Sequence, residues 1–226
     1  MRYDTTLKDL FKQPPQRLLQ LLVGQRAVEV LTGIEFPSTQ KRVPDLVFHL
    51  LDQSIFHLEL QGASELIQWR MLMYRVFIRY RYPGQRLIQK VLYIGNKRWQ
   101  PETAIVEEGL QFSYGFVDIR DIDCHEMLDS PMLEENILAV LCRMGDTQET
   151  IREILRRINR LPPKARKDSL EKLVVISGLR KLEAMVQKEA DEMAVTIDLM
   201  ENDVIRPLLL KGIQDGKMAG IKEGIK

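Results

Sequence analysis

Two short strand-like runs joined by three polar residues constrain this chain more than any other stretch. Arg42 to Leu51 and Ile55 to Gln61 are rich in aliphatic and aromatic side chains, and the intervening Asp52-Gln53-Ser54 is a connection of hairpin length. In the second run, His57-Leu58-Glu59-Leu60-Gln61 alternates polar and apolar residues. Side chains on a strand alternate faces, so Leu58 and Leu60 are predicted to enter the core while Glu59 and Gln61 stand side by side on the other face. The first run, through Val43-Pro44-Asp45-Leu46-Val47, sets a carboxylate near its own start. Asp45 and Glu59 are therefore expected to meet across the hairpin.

The flanking sequence gives this pair a setting. A helix is predicted from Ser64 to Tyr80, with Leu66, Met73, Phe77 and Tyr80 on or near one face and Pro83-Gly84 ending it. It forms the crossover to a strand at Leu87 to Ile94, and a further strand-like run covers Gln111 to Ile119. Upstream, Leu7, Leu10, Phe11, Leu18, Leu19 and Leu22 recur at helical spacing in two pieces broken by Pro14-Pro15, and Val28 to Phe36 reads as extended. Strand, strand, helix, strand predicts an α/β core with a mixed central sheet flanked by helices, over residues 1–128.

After Met127 the pattern becomes helical: Leu133 to Met144, Thr147 to Ile158, and one long charged amphipathic stretch from Lys167 to about Met200. Its Leu170, Leu173, Val174, Leu179, Leu182 and Met185 suit packing on the core or pairing with a second copy. We read 129–205 as a helical C-terminal region. Gly212, Gly216, Gly220 and Gly224 follow at every fourth position. Each costs a helix about 1 kcal/mol relative to alanine, so 206–226 reads as a low-complexity tail rather than a helix–helix contact.

With 226 residues, 45% hydrophobic and 29% charged, the chain can bury one core of ordinary size with a smaller appendage, which excludes global disorder. The 33 basic residues nearly cancel the 32 acidic ones, so attraction to a polyanion must come from local patches. Cys124 and Cys142 fit neither a zinc spacing nor a disulfide framework. The polar opening Met1-Arg2-Tyr3-Asp4 is neither a signal peptide nor a membrane anchor. A cytoplasmic protein with no membrane partner is expected.

A hard divalent cation such as Mg²⁺, or Mn²⁺, takes oxygen ligands, usually one or two carboxylates with water and substrate phosphate. Asp45 and Glu59 supply those carboxylates, and the backbone carbonyl of Leu60 is a candidate third ligand. Such a cation lowers the pKa of bound water and stabilises charge on a phosphodiester under attack. Gln61 is placed to orient that water. On periodicity alone, however, the same alternation describes a half-exposed strand with an inert polar face, and that reading is the more common.

The composite of motifs favours the chemical reading. Pro44-Asp45 followed by Glu59-Leu60-Gln61 resembles the PD-(D/E)XK nuclease superfamily. More narrowly, Asp45-Leu46-Val47, Glu59-Leu60-Gln61, Arg70-Met71-Leu72-Met73-Tyr74, the strand Val91-Leu92-Tyr93-Ile94-Gly95 and the glycine repeat resemble the recombination-promoting nuclease (Rpn) and transposase family of bacteria. Each motif alone is weak; their order and spacing are more specific. The resemblance implies a restriction-endonuclease-like core and a Mg²⁺-dependent DNA endonuclease, with Asp45, Glu59 and Gln61 catalytic. Asp45, Glu59 and the Leu60 carbonyl would be the metal ligands and DNA the partner, and the resemblance leans toward self-association as a homodimer, although no residue fixes the oligomeric state. The opening Tyr3-Asp4-Thr5-Thr6-Leu7-Lys8 is similar to the family's Asp-x-x-Phe-Lys start, with Leu7 for the aromatic. It adds Asp4 and Lys8 to Arg70 and Tyr74 as substrate-side candidates.

Gln61 stands where the superfamily has lysine, and a neutral amide carries no positive charge to the transition state. The alternative is thus a catalytically weak or inactive nuclease fold serving as a DNA-binding or protein-interaction module. Arg70, Arg75, Arg79 and Arg81 with Tyr74, Tyr80 and Tyr82 suit phosphate binding and base stacking, or equally a solvated helix face. His57, beside an apolar run, reads as a packed spectator. The basic segment Arg152, Arg156, Arg157, Arg160, Lys164, Arg166 and Lys167 reads as a solvated face.

Overall fold

The computed structural model describes residues 2–31, 45–193 and 210–211, without the side chains of Arg2 and Asp4. Pro44, the start of the first predicted strand, the end of the Val28 to Phe36 segment, Met200 and the glycine repeat lie outside the described residues. Two compact units result: one is Lys8–Asp121, the other joins Met1–Leu7 to the chain from Ile122 onward. The sequence pattern alone puts the end of the core at residue 128.

In the first unit, the N-terminal pieces are α1 (Arg2–Leu10), which starts in the other unit, and α2 (Gln16–Val23). Gly24 ends α2 at φ 72, a left-handed position that favours glycine, and its N–H closes on the Gln20 carbonyl. The strands are β1 (Ala27–Val30), β2 (Leu46–Leu50), β3 (Ile55–Gln61), β4 (Leu87–Tyr93), β5 (Ala104–Glu107), β6 (Leu110–Ser113) and β7 (Gly115–Asp118). A five-stranded sheet runs β1-β2-β3-β4-β7; its first three strands are antiparallel and its last three parallel. The fold is α/β with a mixed sheet flanked by helices.

The predicted hairpin forms. Ser54 donates its N–H to Asp52 Oδ1 at 2.9 Å, and Gln53 takes a left-handed turn at φ 65. The helix α3 (Gln68–Arg81) provides the crossover from β3 to β4 that parallel pairing demands. Here the structure differs from the sequence reading. The buried face is Gln68, Met71, Tyr74 and Ile78, whereas Leu66 and Tyr80 are exposed. Apolar residues fall on every side of this helix, so periodicity could not select its inner face. Tyr74 and Ile78 pack with Val47 and Ile55 on the sheet.

Two further departures are instructive. The run from Gln111 to Ile119 is not one strand: β6 closes a separate hairpin with β5 through Glu108-Gly109, while β7 joins the main sheet beside β4. Gly109 sits at φ 76, a turn conformation that glycine adopts without steric cost. Nor is β3 half exposed. His57, Glu59 and Gln61 are as buried as Leu58, while Leu60 is only partly covered.

The second unit is helical: α4 (Cys124–Leu128), α5 (Leu133–Leu138), α6 (Thr147–Asn159), α7 (Pro163–Ser177) and α8 (Glu183–Glu192). Asp146 caps α6 by accepting the Glu149 N–H at 3.0 Å, and Pro163 opens α7 where a missing N–H costs nothing. Over its described part, to Met193, the long stretch from Lys167 is two helices, not one. A tight turn at Gly178–Arg180 and a left-handed Lys181 at φ 58 separate them. A Cβ on Gly178 would lie 2.8 Å from the Tyr3 hydroxyl and 2.9 Å from Glu183 Oε1, so a larger residue there would make the ends of those two side chains shift. Among the described residues no helix is long and apolar enough to cross a membrane.

Candidate metal centre

Extending the β2–β3 register by one residue from Leu46↔Leu58 sets Asp45 opposite Glu59. The contacts agree: the Asp45 N–H donates to Glu59 Oε2 at 3.3 Å, and the Leu60 N–H donates to Asp45 Oδ2 at 3.0 Å. The two carboxylates therefore stand together at the junction of the antiparallel and parallel halves of the sheet. In a strand, the N–H and C=O of one residue point to the same edge. The Leu60 carbonyl thus faces the Asp45 side, while that of Gln61 turns the other way and accepts from Ile94 N–H at 2.9 Å.

Cations close on these oxygens. Lys8 Nζ, from the last turn of α1, lies 3.0 Å from Asp45 Oδ1, and Arg70 Nε, from α3, lies 3.3 Å from Glu59 Oε1. The Arg70–Glu59 approach is a charge contact without hydrogen-bond alignment, since Nε has no hydrogen-bond partner. Burial, followed by the neighbouring negative charge of Glu59, pushes the Asp45 pKa up; Lys8 and the Leu60 N–H oppose the rise without cancelling it. Two mutually repelling, largely buried carboxylates with a carbonyl on the same side form a hard-oxygen donor set that fits Mg²⁺ or Mn²⁺. Asp45, Glu59 and the Leu60 carbonyl are the residues that would hold it.

That upward shift has a stability consequence. A carboxyl with a raised folded pKa is harder to ionise in the native state than in the unfolded chain, so its ionised form costs stability at neutral pH. Asp45→Asn should therefore melt above the wild type at pH 7. The difference should vanish as the pH falls and the wild-type carboxyl takes up its proton. Thermal melts at a series of pH values check this, and a lower Tm for the variant at pH 7 contradicts it.

Gln61 is more committed than the sequence suggested. Its Nε2 donates to the Ala63 carbonyl at 2.6 Å and to Glu65 Oε1 at 3.1 Å, and its Oε1 accepts from Arg70 Nη2 at 2.7 Å. Both amide donors are used, so only the second lone pair of Oε1 remains to hold a water. Arg70 also reaches Glu65 at 2.9 Å, making Glu65 a member of the site that no motif marked. Tyr74 is buried and meets His57 edge-on with ring centroids 5.2 Å apart, which makes it a supporting residue. Asp4 lies in α1, with its side chain outside the described set.

Two other places invite comparison. A cleft of about 640 Å³ is lined by Arg98, Trp99, Gln100, Phe116, Asp118 and Asp121, but its carboxylates are already paired with Arg98 and Arg120. In the helical unit, Asp123, Cys124 and His125 hold ligand-type atoms within 4.8 Å of one another. There Asp123 Oδ1 accepts the His125 N–H and Oδ2 faces Arg143, as befits a helix cap. Chemistry, rather than cavity size, singles out Asp45 and Glu59. Comparison with protein-family models, curated proteins and solved structures finds no match.

Proposed function

We propose that this chain is a Mg²⁺- or Mn²⁺-dependent DNA endonuclease with a PD-(D/E)XK core of the recombination-promoting nuclease and transposase type. The observation that carries this reading is the pairing of Asp45 with Glu59 beside the Leu60 carbonyl, because the sheet brings together oxygen donors that repel one another unless a cation lies between them. When bound, the metal supplies an acidified water and stabilises charge on the phosphodiester. Asp45 and Glu59 would hold that cation, and the second lone pair of Gln61 Oε1 would accept a hydrogen bond from a water beside it. Lys8 and Arg70 deliver the positive charge that Gln61 lacks. DNA is supported as the partner by α3, which carries Arg70, Arg75, Arg79 and Arg81 with no acidic residue and exposes Trp69 and Tyr80.

Supercoiled plasmid tests the reading: nicking or linearisation should require Mg²⁺ or Mn²⁺ and stop in EDTA. Because the Asp45 pKa is raised, cation binding should fail on acidification at a higher pH than an ordinary carboxylate pair would allow. Replacing Lys8 with glutamine should lower the cleavage rate by about a hundredfold, whereas arginine, which keeps the charge, should recover much of it. Equal rates for all three proteins would remove Lys8 from the site.

One observation favours a second reading, a non-catalytic DNA-binding module. Lys8 and Arg70 already sit on the two carboxylates, and Gln61 has spent both its donors within the protein. That module binds DNA equally in EDTA and in Mg²⁺ and never cuts it. A gel shift run beside the plasmid assay separates the two.

A further inference from the structure

His57 is fully buried beneath α3, and both its ring nitrogens have partners. Nε2 lies 3.3 Å from Glu59 Oε2, and Nδ1 lies 3.1 Å from Gln89 Nε2 on the neighbouring strand β4. Gln89 is itself 5% exposed, and the same amide nitrogen donates to the Met71 carbonyl in α3 at 3.0 Å. A carbonyl only accepts, so Met71 requires the nitrogen, not the oxygen, of the Gln89 amide at this place. His57 Nδ1 then faces an N–H and must accept it. The ring proton is left on Nε2, directed at Glu59.

The Gln89 amide bears a cost for this orientation, because its Oε1 is buried without a hydrogen-bond partner. Turning the amide over would bring that oxygen against the Met71 carbonyl, so the helix backbone fixes the amide and the amide fixes the ring. Neither His57 nitrogen keeps a lone pair for a cation: one carries the proton and the other accepts from Gln89.

We infer that His57 is a positioning residue for Glu59, an imidazole held by Gln89 as an Nε2–H donor that aims the Glu59 carboxylate toward Asp45. The inference rests on Glu59 being a metal ligand. Partners that orient a ligating group typically change metal affinity by about 10- to 100-fold when removed. Nothing in the His57-Leu58-Glu59 spacing distinguishes this role from that of a spectator; the Gln89 contact from β4 does.

The test has two measurements, neither of them cleavage. Long-range ¹H–¹⁵N correlation on the labelled full chain, which has three histidines, reads the tautomer directly, and His57→Gln identifies the resonance. The Nε2–H form is expected; an Nδ1–H form or a doubly protonated ring overturns the inference. Mn²⁺ titration followed by electron paramagnetic resonance then compares the wild type with His57→Leu, Gln89→Leu and His57→Gln. Leucine at 57 should weaken Mn²⁺ binding by about 10- to 100-fold. Leucine at 89 should weaken it less and allow both tautomers. Glutamine at 57, whose amide N–H takes the place of Nε2–H, should restore most of the affinity. Wild-type-like affinity in both leucine variants sinks the inference and leaves the proposed function standing. Absence of Mn²⁺ binding by the wild type itself sinks both. Should His57→Leu fail to fold, Gln89→Leu and the wild-type tautomer still decide.

Discussion

Asp45→Ala should reduce divalent-dependent plasmid cleavage by about a thousandfold or more while leaving the protein folded. A bound metal contributes several kcal/mol of transition-state stabilisation, and each 1.4 kcal/mol or so is tenfold in rate. Removing one of two carboxylate ligands forfeits most of that. The structural cost is confined to the Leu60 N–H, which loses its acceptor at about 1–3 kcal/mol, because the deleted group is one whose ionisation the fold opposes and the Lys8 side chain is 43% exposed and can be solvated. Glu59 is a poorer choice for alanine. Its loss leaves His57 Nε2–H and Arg70 facing a buried void, so Glu59→Gln is the variant that separates activity from folding. Plasmid assays beside thermal melts check both. Residual cleavage in Asp45→Ala equal to wild type would exclude the carboxylate pair as the reacting centre.

Arg120→Ala should destabilise the Lys8–Asp121 unit by about 1–3 kcal/mol, the usual cost of removing a hydrogen-bonded partner from a buried carboxylate, because Arg98, 3.4 Å from Asp118 Oδ2, and the backbone N–H of residue 120 still face that carboxylate. Asp118 ends β7 and is buried, yet its pKa lies below the usual carboxylate range. Burial raises it, but the hydrogen bonds and charge of Arg120, with help from Arg98, more than reverse that. The guanidinium binds Asp118 through Nε at 2.8 Å and Nη2 at 2.5 Å. It also donates to the Asn96 carbonyl at 3.0 Å and the Lys97 carbonyl at 2.7 Å, and lies 5.7 Å from the centroid of Tyr93. One side chain thus ties the end of β7 to the turn after β4. A carboxyl with a depressed folded pKa adds stability above its unfolded pKa and loses it as the pH falls through the folded value. The gap between wild type and Arg120→Ala should accordingly narrow in acid. Both tryptophans, Trp69 and Trp99, belong to this unit, so their fluorescence in urea reports its unfolding. Arg120→Lys should recover only part of the loss, since an ammonium cannot reproduce the planar fork.

Local pattern made much of this protein legible. Alternation in His57-Leu58-Glu59-Leu60-Gln61 and a three-residue polar connection were enough to pair β2 with β3 and bring Asp45 to Glu59, because strand periodicity and hairpin closure depend on neighbours in sequence. The helix after the hairpin, the strand from Leu87 and the change to helices after Met127 were likewise readable from spacing. The depth of burial of β3 was not. A polar face signals solvent when the strand is considered alone, and only α3 passing over it turns that face into an interior where His57, Glu59 and Gln61 must satisfy one another.

The inner face of α3 and the division of Gln111 to Ile119 between two sheets were decided by packing, since apolar residues surround the helix and both strands have similar local propensity. The sequence by itself determined which carboxylates could pair and on which elements they would stand. The tertiary structure alone determined their surroundings: Lys8 brought from α1, Arg70 shared among Glu59, Gln61 and Glu65, and Gln89 brought from β4 to orient His57. These contacts join residues far apart in the chain, and a hydrogen bond depends on direction and distance that no local spacing encodes.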